Sequence, residues 1–202
     1  IIRFFTMAQS KFAHTWEELI SFTNKLCDIA ARGMTKLGPF HKEGIYQEML
    51  QCDMKQQLNI SSTREQVMAI RSVDGNGNPI TLGNGQFLRT DIELLDTYKG
   101  ILLELKATHA SIKEEQLHQL KNYLDQRDDL KSGMVINYNS SYGKKDNSVP
   151  SVEMVLLMKT DEFVEFNGVK ICKYHLYEVS NNSYPAMKYY MISRPSINPV
   201  EE

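Results

Sequence analysis

The spacing of apolar and polar positions changes period several times along the chain, and each change marks an element. Trp16, Leu19, Ile20, Thr23, Leu26, Cys27, Ala30 and Met34 recur at the spacing of one helix face. Thr15 with Glu18 makes a capping box that starts this helix, and Gly38–Pro39 ends it. A second helix is predicted from Glu43 to about Leu58, with Ile45, Tyr46, Met49 and Leu50 facing inward. From Arg64 the period becomes strand-like. The glycines and asparagines of Asp74–Pro79 and Gly83–Gly85 then read as tight turns of a connection. An EF-hand there would need Gly and Glu where the chain has Pro79 and Gly85, and the Gly-Lys-Ser/Thr of a phosphate-cradling loop is absent.

The central pattern lies between Phe87 and Lys106, where two apolar runs flank the polar cluster Asp96-Thr-Tyr-Lys-Gly100, the mark of a hairpin. In the second run Ile101, Leu103 and Leu105 point one way, and Leu102, Glu104 and Lys106 the other. A Glu and a Lys thus share one face of a largely apolar strand, with Asp91 placed to meet them across the hairpin. Buried charges without partners cost several kcal/mol, so such a cluster is expected to be paired or metal-bound. Beyond it, Ile112 to about Gln126 is predicted helical, with Leu117, Leu120 and Leu124 as its core stripe. Gly133–Tyr138 is a short apolar strand that this helix can bring back parallel to the Glu104 strand. Asn139–Pro150 reads as a polar loop, and Val152–Met158, Val169–Val179 and Met187–Ile192 as further strands. The expectation is an α/β fold with a mixed central β-sheet flanked by helices. Residues 15–194 form one domain, between an N-terminal extension (1–14) and a flexible tail (195–202).

Composition narrows the function classes. A hydrophobic share of 42% with 24% charged residues is that of a globular protein, and the 202-residue length suits one domain with a sizeable core. With a formal net charge of −2, any nucleic-acid contact must come from a local patch. Cys27, Cys52 and Cys172 are too few and too scattered for a disulfide framework or zinc ribbon, which points to a reducing, intracellular compartment, cytoplasm or nucleus. No apolar run reaches the roughly 20 residues of a membrane span. Ile1–Thr6 is too short for a signal peptide, and Met7 would be a natural initiator.

An acidic residue two before a lysine occurs three times, at Asp53–Lys55, Asp129–Lys131 and Glu104–Lys106, and only the last lies on an apolar strand. Asp91, Glu104-Leu-Lys106 and Gln119-x-x-x-Tyr123 together resemble the D…ExK…QxxxY signature of RecB-like PD-(D/E)XK nucleases. Upstream, Leu37-Gly-Pro-Phe-His-Lys-Glu43-Gly-Ile-Tyr46-Gln-Glu-Met-Leu50 is similar to the segment that names the GxxExxY subfamily, with Phe40 in place of its second glycine. Glu65–Gln66 and Gly133–Asn137 also fall where that subfamily carries similar residues. The likeness runs from about Trp16 to Tyr138.

The resemblance implies a restriction-endonuclease-like fold and a phosphodiester-cleaving site that uses Mg²⁺ or Mn²⁺. Asp91, Glu104 and the backbone carbonyl of Leu105 would hold the metal, with Glu43 a ligand directly or through water. Lys106 would hold the attacking water, and Gln119 and Tyr123 would project from the same side of the crossover helix. Hard carboxylate oxygens suit these cations, which keep waters and bind phosphate oxygens. Two carboxylates ~4 Å apart repel by about 4 kcal/mol at an effective dielectric of ~20, and a divalent cation relieves this. Glu93 shares a strand face with Asp91 and is the runner-up ligand. Tyr46 and Tyr123 each fit either the core or the site. Tyr46, Arg89 and His118 are taken as substrate contacts, and His41 and His109 also lie near the motifs. The implied partner is nucleic acid, DNA ahead of RNA, with processing of ends or single strands in repair, recombination or replication, and a homodimer is a further expectation. The alternative is a silent nucleic-acid-binding or interaction module on the same fold.

Overall fold

The computed structural model describes residues 14–39, 41–68, 88–108, 110–139, 151–166 and 169–182. His109, the 74–85 turns, most of the 139–150 loop, the 187–192 strand and both termini lie outside the described residues.

Helix α1 spans Trp16–Leu37 and opens on the capping box. The Thr15 hydroxyl accepts the Glu18 N–H at 3.2 Å, and the Glu18 carboxylate accepts the Thr15 N–H at 2.9 Å. It ends at Gly38, whose φ of 91° is a conformation that a Cβ would strain. Helix α2, Glu43–Leu58, turns Tyr46, Gln47, Leu50 and Met54 inward. Ile45 is 43% exposed, contrary to the inward position expected from its apolar character. Tyr46, Leu50 and Met54 make a single seam, and Ile45 lies about 100° off it.

The strands are β1 (Ser62–Met68), β2 (Leu88–Leu94), β3 (Ile101–Lys106), β4 (Ser132–Asn139), β5 (Ser151–Phe166) and β6 (Val169–Asn182). They form one mixed sheet in the order β1-β2-β3-β4-β5-β6. Among the described strands only β3 and β4 pair in parallel, through helix α3 (Glu114–Gln126) as the crossover. The hairpin is present: β2 and β3 are antiparallel, joined by a 3₁₀ turn at Asp96–Tyr98 and by Gly100 with φ 92°. β5 and β6 run longer than predicted, with a bulge between Lys159 and Phe163.

Strand alternation divides the interior into two cores. Ile101, Leu103 and Leu105 join Ile92, Met134, Ile136 and Leu156 beneath α1 and α2. On the opposite face Leu102 meets Leu120, Tyr123 and Leu124 of α3, with Val135 and Leu157. Gly133 is what lets α3 sit this close: a Cβ there would come within 2.7 Å of Leu120 Cδ1 and 3.2 Å of the Leu102 carbonyl oxygen. The far end of α3 is tied down as well. Arg127 donates two bonds to Glu93 of β2, at 2.7 and 2.9 Å, and Lys159 of β5 donates to the carbonyls of Leu124 and Arg127. Gly133→Val is expected to overpack the α3 interface and cost about 1–3 kcal/mol. Thermal unfolding checks this, and an unchanged melting temperature would show that α3 is not seated by that contact.

Candidate active site

The sheet is organised so that a buried carboxylate lies at the end of an apolar strand. Glu104 faces α3 and is 2% exposed. Its Oε1 accepts from Lys106 Nζ at 2.6 Å and from Gln119 Nε2 at 2.8 Å. Gln119 Nε2 gives its other proton to the Tyr123 hydroxyl oxygen at 2.7 Å, one helical turn on. Asp91 enters from β2, where pairing with β3 is present at Ile92↔Leu103 and Glu93↔Leu102. Next to these pairs the Asp91 Oδ2 accepts the Leu105 N–H at 2.7 Å. A strand residue presents its N–H and C=O to the same side, so the Leu105 carbonyl also points toward β2.

Electrostatics set this cluster apart from an ordinary ion pair. Burial pushes the Glu104 carboxyl up to about 7, with the Asp91 charge adding to the rise against the hydrogen bond from Lys106. Asp91 is also raised, chiefly by burial, while the Leu105 N–H and the Lys106 charge work the other way. Glu43 is raised by burial, lowered by Lys106 and raised by Asp91, so it belongs to the same field. Burial lowers Lys106, but its bond to Glu104 and the charges of Glu104, Glu43 and Asp91 together outweigh that, and the ammonium ends above its ordinary value. Three carboxylates and one ammonium leave an excess of negative charge in a partly desolvated place.

The residues fit a hard divalent cation on the chemistry of this donor set. Asp91 and Glu104 bring carboxylate oxygens, and the Leu105 carbonyl points to the same side. Among the described residues no group of three or more His, Cys, Asp or Glu is gathered so as to hold a metal. Mg²⁺ commonly needs only one or two carboxylates beside water and phosphate.

Other expected site residues are placed elsewhere. Tyr46 is fully buried: its ring stacks on Tyr138 at 4.5 Å between centroids, and its hydroxyl donates to the Gly38 carbonyl at 3.1 Å. It is a core residue and no surface for substrate. Glu93 is committed to Arg127, which removes it as a ligand. His118 is exposed beside Glu114, 3.4 Å away, and the exposed Arg89 pairs with Glu65 at 3.5 Å. His41 turns its Nε2 to the Leu37 carbonyl at 3.2 Å. Tyr123 serves both readings, packed in the second core and bonded to Gln119. One residue beside the site went unseen in the sequence: Gln47, buried on α2, whose Oε1 accepts from Arg64 at 2.9 Å and whose amide works to lower the Asp91 carboxyl. Its one signal was a position one helical turn after Glu43.

Residues 21–149 match the family model of the PD-(D/E)XK nuclease superfamily. The chain belongs to that superfamily. No curated protein and no solved structure gives a significant match. The mixed six-stranded sheet with helices on both faces is the restriction-endonuclease-like fold of these nucleases. Among the described residues, no helix of this PD-(D/E)XK protein is long and apolar enough to cross a membrane.

The raised Glu104 carboxyl carries a pH dependence. Its folded value, about 7, lies above the ordinary 4.5, so the folded state binds the extra proton. Its stabilising contribution, at most about 3 kcal/mol, is complete below the unfolded value and is lost as pH rises through 7. Asp91 and Glu43 are raised in the same sense. In EDTA the melting temperature is expected to fall between pH 5 and pH 8, and Glu104→Gln should flatten that fall. A wild-type profile flat across this range would refute the repulsive cluster.

Proposed function

We propose that the protein is a divalent-metal-dependent nuclease that hydrolyses phosphodiester bonds in DNA, acting on ends or single strands. The observation that carries this is the convergence of Asp91, Glu104 and Lys106 with Gln119 and Tyr123 of the crossover helix. Membership of the superfamily supports the reaction type. DNA as substrate, the end-processing role and the closer kinship with the GxxExxY subfamily rest on the sequence motifs.

In this reading Asp91 and Glu104 hold Mg²⁺ or Mn²⁺. The bound cation supplies charge neutralisation at the scissile phosphate. Lys106 Nζ, drawn to the Glu104 carboxylate, stands beside the reacting centre. There it orients the attacking water and stabilises the negative charge that grows on the phosphoryl oxygens. Gln119 donates to the same Glu104 oxygen as Lys106 and so fixes which oxygen faces the lysine. Tyr123 accepts from Gln119, so its own O–H is left to donate toward a phosphate or a terminal nucleotide.

The test is cleavage of single-stranded, duplex and branched DNA with Mg²⁺, Mn²⁺ or EDTA. Cleavage should require the metal, and Lys106→Ala should lower its rate about 100-fold or more. DNA that is bound but left intact under every metal condition would replace the enzyme with a silent binding module.

A further inference from the structure

Resting on the nuclease reading, we propose that Asn137 of β4 and Glu153 of β5 are positioning residues for the catalytic cluster, clasping the connection that carries the chain from Lys106 to α3. The three side chains lie in one row across the sheet. Lys106 pairs with Asn137 in parallel register, and Asn137 pairs with Glu153 in antiparallel register. Residues paired on neighbouring strands share a face, so all three stand on the face that α3 covers. Asn137 is fully buried, and its amide is given over to the backbone of the connection. Its Oδ1 accepts the Thr108 N–H at 3.1 Å, and its Nδ2 donates to the Ala110 carbonyl at 2.8 Å. Glu153 takes the next two residues. Its Oε1 accepts from the Ser111 hydroxyl at 3.1 Å, and its Oε2 accepts the Ile112 N–H at 3.2 Å. These bonds tie the connection down from two residues after Lys106 to two residues before Glu114, where α3 begins.

The two ends of α3 are held by different means. Arg127 and Lys159 fix its exit, while at its start Ile112 and Leu117 are only partly buried against the second core. Apolar contact has no direction, so a leucine stripe alone would let the start of α3 shift along β4. Hydrogen bonds hold their geometry to within a few tenths of an ångström. Gln119 lies in the half of α3 nearest the clasp, and its bond to Glu104 is 2.8 Å long. A drift of about 1 Å there would part Gln119 from Glu104, and misplacement of that size can cost about 100-fold in rate. The clasp therefore serves the chemistry by fixing where the chain leaves Lys106 and where Gln119 arrives.

The experiment compares wild type with Glu153→Met, Glu153→Gln and Asn137→Leu in the full chain. It reads kcat and KM on single-stranded DNA with Mn²⁺, and folding by melting temperature in EDTA. It also reads the side-chain amide signals of Gln119 by NMR in protein labelled with ¹⁵N-glutamine, assigned by their absence from Gln119→Glu. Glu153→Met keeps the length of the side chain and removes both acceptors. It is expected to lower kcat about 10–100-fold, with KM for DNA close to wild type. The Gln119 amide signals should move toward those of solvated glutamines while the protein stays folded. Asn137→Leu should act in the same direction. Glu153→Gln can still accept from the Ile112 N–H and donate to the Ser111 hydroxyl oxygen, and it should recover most of both effects. A folded Glu153→Met protein with wild-type kcat or with unmoved Gln119 signals would overturn the proposal, as would a Glu153→Gln protein no better than Glu153→Met. Should Asn137→Leu not fold, the two Glu153 variants decide the matter alone. If the wild type cleaves nothing, Gln119 signals displaced in Glu153→Met would keep the clasp and defeat only the nuclease reading, and unmoved signals would defeat both.

Discussion

Glu104 is an acid on a strand whose other residues are apolar, and it is buried under a helix. A carboxylate in that position must be met by donors or by a cation. Lys106 and Gln119 supply the donors, yet the carboxyl still titrates near 7 because burial and Asp91 oppose its charge. Much of the architecture serves to hold these opposing groups in place. The hairpin brings Asp91 alongside, the parallel crossover brings Gln119 and Tyr123 overhead, and the start of α2 adds Glu43 and Gln47 at the margin.

The anchoring of α3 shows how such a place is kept rigid. Gly133 admits the helix to within contact of β4, Arg127 ties its exit to β2, and Lys159 closes its last carbonyls from β5. A helix fixed to three strands cannot drift without breaking buried polar contacts. That fixes Gln119 against Glu104 more firmly than a single hydrogen bond would. Glu93, which by strand alternation looked like a possible ligand, is part of this anchor.

Much of the fold was legible because local chemistry and period agreed. The Thr15–Glu18 box, the Gly38 stop and the hairpin turn each had a turn or cap residue to mark them, the crossover helix had its leucine stripe, and each is present. Glu104 and Lys106, with Asp91 across the hairpin, were conspicuous as charges on an apolar strand, whereas Gln119 and Tyr123 were singled out only by the resemblance to the nuclease signature. What escaped was tertiary. Ile45 looked inward by its apolar character, but the seam of α2 passes it by. Tyr46 was open between core and site until Tyr138, distant in sequence, closed over its ring. Gln47 was hidden because a glutamine on a helix rich in polar residues reads as solvated, and only the fold shows it buried and bonded to Arg64. The outer part of β5, Lys159–Phe166, reads as polar, and it is held as a strand by its ladder to β6 more than by an apolar face.

The central claim is that Asp91 and Glu104 converge on one divalent cation beside Lys106. A crystal structure of the protein grown with Mn²⁺, read in anomalous difference maps, tests it most directly. The account predicts a single strong peak within about 2.0–2.5 Å of oxygens from both residues, with the Leu105 carbonyl as a third protein ligand. Manganese bound elsewhere, or no peak between these two side chains in a well-ordered site, would contradict it.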